Sequence, residues 1–262
     1  MSSKSQRSNP ASHRLTSTSH RYGWGLSSII GLSLMSSSAE ARVLLVGDSH
    51  SVGQYGRELE RLFREKNGSS EVALYASCGS APQTWISGRA TRCGFRQKVG
   101  TQKEVSAKTN ATPKLPQIVG AWLEPGEKHI VVISLGANLV PASTHQAQRQ
   151  TRDFLNLLQT ETSGQEIQCY WVGAPTSRTF SAEKTARTVD VMRAQIGSQC
   201  EYIDSREFTA YPARGGDGIH FDSLGASGRK IAIQWAQAVF QRIPQTSSSA
   251  SAEGDSAAGD SP

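Results

Sequence analysis

The hydrophobic pattern of the chain alternates between short continuous apolar runs and longer stretches with helical spacing. Five short runs end at small or polar residues, at 43–46, 72–76, 129–134, 167–172 and 201–204. Such runs are typical of parallel strands that are buried on both faces. Between them, the spacing of apolar residues predicts helices over 52–66, 114–122, 145–160, 183–196 and 223–241. The alternation predicts an α/β fold with a doubly wound, flavodoxin-like parallel sheet of five strands.

The first apolar run stops abruptly at Gly47-Asp48-Ser49. Gly47 allows a tight turn, and either Asp48 or Ser49 can cap the helix that follows. In open α/β sheets, ligands bind at the carboxyl ends of the strands, beside helix N-termini. Ser49 is therefore either a helix cap or a nucleophile, and residues elsewhere in the chain must decide between the two.

Two later segments favour the nucleophile. Asp217 precedes His220 by three residues in a glycine-rich loop, where the carboxylate can orient the imidazole as a general base for a serine. Asn138 follows the apolar run at 129–134, and its side-chain amide can donate a hydrogen bond to an oxyanion. The three segments together supply a nucleophile, a base with its orienting acid, and an oxyanion donor.

These segments, in this order, resemble the SGNH (GDSL-type) hydrolase family over residues 43–242. The resemblance implies a three-layer α/β/α sandwich and a catalytic triad of Ser49, Asp217 and His220. In the implied mechanism, His220 takes the proton of Ser49, which attacks an ester carbonyl, and water then releases the acid from the acyl-enzyme.

The same resemblance implies the oxyanion hole. Its donors would be the backbone N–H groups of Ser49 and Gly79 and the side-chain amide of Asn138. The assignment of Gly79 depends on the family alone, since a glycine in a loop is otherwise an ordinary turn residue. The sequence departs from the family at Leu139, where an aspartate is common, and this affects loop packing more than catalysis.

Two further residues are candidates for substrate binding. Residues 83–114 are polar and predicted to be irregular, and a loop of this length beside Gly79 suggests one wall of the substrate site. In this loop, Trp85 either stacks on a sugar ring or anchors the loop as a buried residue. Arg178 follows the run at 167–172, where it either meets an anionic substrate group or is a solvated loop residue.

The four cysteines fall into two neighbourhoods. Cys78 and Cys93 flank the start of the long loop, and Cys169 and Cys200 lie on or before the last two predicted strands. An even count in an exported protein favours disulfides, with Cys78–Cys93 and Cys169–Cys200 as the plausible pairs among three connectivities. Reduced, buried thiols are the alternative if the chain is not exported. The cysteine spacing is unlike that of zinc sites, so we predict neither a metal nor another cofactor.

The two ends of the chain differ from its middle. Residues 1–41 have a basic start, a short apolar stretch and a small-x-small end at Ala41, which predicts a secretory signal peptide. A disordered leader without export is the alternative. The apolar stretch is too short for a membrane span, so no transmembrane segment is predicted. Residues 245–262 are rich in Ser, Ala, Gly and acid, which predicts a disordered tail beyond a hydrolase domain at 42–244.

The charge of the chain narrows the class of partner. The net charge is +6, but lysines and arginines are not clustered with interleaved aromatic residues. This pattern does not support binding to nucleic acid, although it permits weak association with an anionic envelope polymer.

The sequence as a whole predicts an exported serine esterase. Its substrate would be an acyl ester, most simply an O-acetyl ester, on a small molecule, a carbohydrate or a cell-envelope polymer. No lipid-binding lid is evident, which disfavours a lipase, but a lysophospholipase or thioesterase stays open. An O-acyltransferase would use the same residues, and a polysaccharide-binding protein could keep the fold without turnover.

Overall fold

The computed structural model describes residues 41–244, which fold around a seven-stranded mixed sheet of order β5-β4-β2-β1-β7-β8-β9. The strands are Arg42–Gly47 (β1), Val72–Ser77 (β2), Ala90–Thr91 (β3), Phe95–Val99 (β4), Val105–Ala107 (β5), Asn110–Ala111 (β6), Lys128–Ser134 (β7), Glu166–Val172 (β8) and Glu201–Ile203 (β9). β3 and β6 form a separate two-stranded pair. Strands β2, β1, β7, β8 and β9 are parallel and correspond to the five predicted strands. The predicted flavodoxin-like order is therefore confirmed for the parallel part of the sheet.

Helices cover both faces of this sheet. They are Ser49–Val52 (α1), Gln54–Asn67 (α2), Pro82–Ser87 (α3), Leu115–Trp122 (α4), Thr144–Glu161 (α5), Ala182–Ile196 (α6) and Ala226–Arg242 (α7). Single 3₁₀ turns lie at Ser69–Glu71, Ala137–Leu139, Ser205–Glu207 and Phe221–Leu224. No helix within residues 41–244 is long and apolar enough to cross a membrane. The predicted signal peptide and tail lie outside the described residues, apart from Ala41.

The two faces of β1 bury alternate residues in separate hydrophobic cores. Val43 and Leu45 pack with α2 and α7, whereas Leu44 and Val46 pack with α3, α4, α5 and α6. All four side chains are at most 2% exposed, as expected for a central parallel strand. The result is the predicted three-layer α/β/α sandwich, with the carboxyl end of β1 at the centre of one edge.

The prediction of a purely parallel sheet with an irregular loop at 83–114 is wrong. β4 pairs antiparallel with β2, and β5 pairs antiparallel with β4, so this segment extends the sheet at one edge. The β4 sequence is too polar to suggest a strand. Its Arg96 can nevertheless be buried because carboxylates neutralise its charge. It forms ion pairs with the carboxylates of Glu60 on α2 and Glu104.

Two disulfides lie within the fold. Cys78 is bonded to Cys93 and closes the turn that carries Gly79, while Cys169 on β8 is bonded to Cys200 just before β9. No cysteine in the described part of the chain is free. The first bond fixes the segment between β2 and β4, and the second fixes the outer edge of the parallel sheet.

Trp85 lies in the core, where it fits the predicted role of a buried anchor and not that of a stacking surface for a substrate sugar. Its side chain is 0% exposed and packs in the cluster beneath the sheet. The indole N–H donates to Ser80 Oγ at 3.1 Å, and Ser80 Oγ donates to the carbonyl of Gly47 at 3.3 Å. Trp85 is therefore an anchor that connects the Gly79 turn to the end of β1.

We expect Trp85→Phe to lower the free energy of unfolding by about 1–2 kcal/mol, because most of the packing is kept and one buried hydrogen bond is lost. The KM for an acetylated glycan should stay unchanged, since the indole does not reach solvent. Denaturant unfolding and steady-state kinetics measure the two quantities. A raised KM at unchanged stability would instead place the indole in the substrate site.

Candidate active site

The candidate nucleophile lies where β1 gives way to α1. Asp48 is the N-cap of α1 and Ser49 is its first residue, so the predicted capping role belongs to Asp48. The backbone N–H of Asp48 donates to the carbonyl of Ser134 on β7 at 3.1 Å. A glycine is required at position 47 because a Cβ there would lie 1.9 Å from Ser51 Oγ. The tight turn leaves the Ser49 side chain half-buried at the sheet edge.

The structure brings Ser49, His220 and Asp217 together in one relay. His220 Nε2 lies 2.9 Å from Ser49 Oγ, and His220 Nδ1 lies 2.7 Å from Asp217 Oδ2. With the ring proton on Nδ1, the imidazole donates to the carboxylate and can accept the proton of the serine hydroxyl. This is the geometry of a serine nucleophile, a general base and an orienting acid.

Asp217 is held in its ionised form. Its Oδ1 accepts backbone N–H groups from Ile219 at 2.9 Å and His220 at 2.7 Å. Burial opposes ionisation, but the hydrogen bonds from the His220 ring and from these two N–H groups outweigh it and lower the pKa of Asp217 well below its ordinary value. The carboxylate is thus available to orient His220 throughout the neutral pH range.

The predicted oxyanion donors are held at the same sheet edge. Within residues 41–244, the backbone N–H groups of Ser49 and Gly79 donate to no protein acceptor. Gly79 has a φ of +73°, a conformation that favours glycine. The Asn138 amide donates one hydrogen to the carbonyl of Ser80 at 2.9 Å, which leaves its second hydrogen for a ligand. Each of the three groups therefore has an N–H hydrogen that no protein acceptor uses, at the ends of the neighbouring strands β1, β2 and β7.

The Asp48 carboxyl connects the nucleophile turn to the Asn138 turn. It accepts the backbone N–H of His50 at 3.0 Å, and the nearby backbone N–H of Ala137, the residue before Asn138, also favours its ionised form. Its side chain is almost fully buried, and burial raises its pKa to about 7 despite these hydrogen bonds. Sequence analysis assigned Asp48 only a capping role, since the contact to Ala137 joins residues far apart in the chain.

Arg178 binds the loop that carries Asp217, a contact that neither predicted role of this residue included. Its guanidinium donates to the carbonyls of Ala213 at 3.3 Å and Gly216 at 3.1 Å, and its backbone N–H donates to Gly218 at 2.8 Å. Both terminal nitrogens are therefore used by the loop that carries Asp217.

Ser223 and Tyr211 also hold this loop, and no sequence pattern indicated this role for either. Ser223 Oγ accepts the backbone N–H of Asp217 at 3.0 Å and lies 3.1 Å from the Tyr211 hydroxyl, which accepts the N–H of Gly218 at 3.1 Å. A serine ahead of a predicted helix suggests only a cap, and a tyrosine in a loop gives no signal. Both residues bind backbone N–H groups of the loop, and such contacts depend on how the loop folds.

We expect the stability of the protein to depend on the protonation of Asp48. Its folded pKa of about 7 is higher than the value of about 4 in an unfolded chain, so the folded state binds more protons between these two values. The free energy of unfolding therefore falls as pH rises through this window, by up to about 4 kcal/mol. Asp48→Asn keeps an acceptor and should remove this contribution.

Denaturant unfolding at about pH 4 and pH 8 measures how the free energy of unfolding changes with pH in wild type and in Asp48→Asn. Asp190→Asn is the matched control, because Asp190 is exposed on α6. It should behave like wild type. An identical pH slope in wild type and Asp48→Asn would contradict the buried, neutral carboxyl.

The sequence matches no protein-family model and no curated protein. Among solved structures, a DUF4886 family protein from Bacteroides uniformis is similar, at 12% identity and a TM-score of 0.48, over 77% of this chain and 83% of that one. A peptidoglycan O-acetylesterase is 12% identical with a TM-score of 0.43, over 78% and 91%. An acetyl xylan esterase from the rumen bacterium Butyrivibrio proteoclasticus is 10% identical with a TM-score of 0.41, over 77% and 63%. Similarity at this level concerns the layout of the chain and assigns no activity to it.

Proposed function

We propose that this protein is a serine esterase of the SGNH type that works through an acyl-enzyme. The observation that carries the proposal is the relay from Ser49 Oγ to His220 Nε2 at 2.9 Å and from His220 Nδ1 to Asp217 Oδ2 at 2.7 Å. His220 removes the proton of Ser49 as the hydroxyl attacks the ester carbonyl, and returns it to the leaving alcohol. Asp217 keeps the imidazole in the required tautomer and stabilises the imidazolium.

The negative charge that develops on the carbonyl oxygen would be received by three donors. These are the backbone N–H groups of Ser49 and Gly79 and the free hydrogen of the Asn138 amide. Preorganised donors of this kind stabilise a tetrahedral intermediate without reorganising during the reaction. Water then releases the acid and regenerates Ser49.

A small cavity beside the site supports a short acyl group. Its lining includes His50, the neighbour of Ser49, Ala137, the neighbour of Asn138, and Ile219, the neighbour of His220. Ala174, Pro175 and Phe180 form part of its wall, and its volume is about 20 Å³. A space of this size suits a methyl group, which favours acetyl esters over longer acyl chains.

The remaining features support an exported enzyme that acts on a polymer surface. Two disulfides in the described residues fit an oxidising compartment. The positive net charge suits contact with anionic material, and the half-exposed His220 and Asp217 suit a bulky alcohol. We therefore propose an O-acetylated carbohydrate or cell-envelope polymer as the substrate.

Ser49→Ala should reduce turnover of a small acetyl ester by at least about a thousandfold, because the attacking oxygen is removed. Release of acetate from p-nitrophenyl acetate measures this loss, and circular dichroism checks that the fold is intact. Ser163→Ala, at an exposed serine after α5, is the matched control and should keep wild-type turnover. Equal activity in Ser49→Ala and wild type would rule out the proposed esterase.

Phe180→Ala should widen the acyl cavity and relax the preference for acetyl. We expect kcat/KM for butyryl relative to acetyl esters to rise about tenfold, the value of accommodating two additional methylene groups. Val105→Ala removes an exposed apolar side chain from β5 at the far edge of the sheet and should leave the ratio unchanged. An unaltered ratio in Phe180→Ala would mean that the acyl group lies elsewhere.

A further inference from the structure

The residue after the nucleophile, His50, is buried in an unusual setting for a histidine. Its side chain is 7% exposed, and its ring stands edge-on to Trp235, with centroids 5.2 Å apart. The ring of the general base His220 lies 5.5 Å away, and that of Phe221 lies 6.0 Å away. His50 is therefore packed directly behind the base.

The polar atoms of this ring lack protein partners. Within residues 41–244, neither ring nitrogen of His50 forms a hydrogen bond, although its backbone N–H is bonded to Asp48. Burial lowers the pKa of His50 to about 3, so the neutral ring has one donor and one acceptor. Neither nitrogen is completely enclosed by protein, so a bound water can be its partner.

A small cavity beside His50 offers such a partner. Ser49, His50, His220 and Tyr55 line it, together with the polar side chains of Gln54 and Asp222. Its volume of about 10 Å³ corresponds to a single water molecule. A bound water needs two to four polar partners, and the His50 ring, the Gln54 amide and the Asp222 carboxylate can supply them. Ser49, which would carry the acyl group, and His220, which would act as the base in its hydrolysis, also line this cavity.

We propose that His50 positions the water that hydrolyses the acyl-enzyme, in the cavity shared by Ser49 and His220. This role rests on the proposed esterase function. The water oxygen forms a bond to the acyl carbon, and one water proton passes to His220 Nε2. The bond from that carbon to Ser49 Oγ then breaks, Ser49 recovers the proton from His220, and the carboxylic acid leaves. His50 acts through the water, so it is a positioning residue.

The two half-reactions separate this role from a general effect on the site. Rapid-quench mixing with p-nitrophenyl acetate gives the acylation rate from the first release of nitrophenol. Mass spectrometry of acetylated Ser49 gives the deacylation rate. In His50→Leu we expect acylation within about twofold of wild type and deacylation slowed about tenfold, the effect of one lost hydrogen bond. His50→Asn or His50→Gln, each with a polar nitrogen, should recover most of the deacylation rate.

A competing alcohol gives a second measurement that a structural defect would not change. With added methanol, His50→Leu should form more methyl acetate relative to acetic acid than wild type does, because only the water has lost its partner. His129→Leu is the matched control, since His129 is a buried histidine on β7 that binds the carbonyl of Glu124. Its partition ratio should equal that of wild type.

Wild-type turnover that persists in Ser49→Ala would overturn the proposed esterase and this role with it. Normal acetylation in wild type with unchanged deacylation in His50→Leu would overturn the water-positioning role alone. An equal loss in acylation and deacylation would do the same. If His50→Leu fails to fold, His50→Met replaces it, because an unbranched apolar side chain fills irregular space more readily.

Discussion

The arrangement of the site depends on one buried carboxyl group, that of Asp48 at the end of the central strand. It accepts the backbone N–H of His50 on the nucleophile turn and lies close to the backbone N–H of Ala137 on the Asn138 turn. Its own N–H is bonded to Ser134, which fixes that point on β7. Hydrogen bonds in a low-dielectric interior are strong, and losing one leaves a polar group unpaired. Two turns that are distant in sequence therefore keep a fixed relation to each other.

The acid and base of the site are held in a different way. Asp217 and His220 lie on an irregular loop whose side chains are partly exposed, and no strand or long helix positions them. Instead, Arg178, Tyr211 and Ser223 bind the backbone of the loop at several points. The nucleophile is thus fixed by the buried sheet, and the base is fixed by surface contacts from neighbouring loops. Candidate functional residues thus lie on loops, and the sheet determines where each loop begins.

Local signals account for what the sequence predicted well. The five parallel strands are continuous apolar runs, and β1 ends in a Gly-Asp-Ser turn that the structure places opposite His220. The antiparallel strand β4 was missed because its Arg96 is buried through Glu60, which lies far away in the chain. The loop contacts of Arg178 were missed for a related reason, since its partners are loop carbonyls that no side-chain pattern reveals. Sequence thus predicted the groups that lie together at the candidate site, but not the contacts that hold them.

The oxyanion glycine connects the proposed chemistry to the proposed compartment. Gly79 lies between the Cys78–Cys93 disulfide and Ser80, whose hydroxyl is bonded to Gly47 and to the indole of Trp85. A cross-link stabilises a fold mainly by limiting the freedom of the open chain, and here it closes a short segment around the donor itself. In a reducing compartment the turn would keep the Ser80 contacts but lose this constraint. The proposed oxyanion role of Gly79 and the proposed export to an oxidising compartment are therefore consistent with each other.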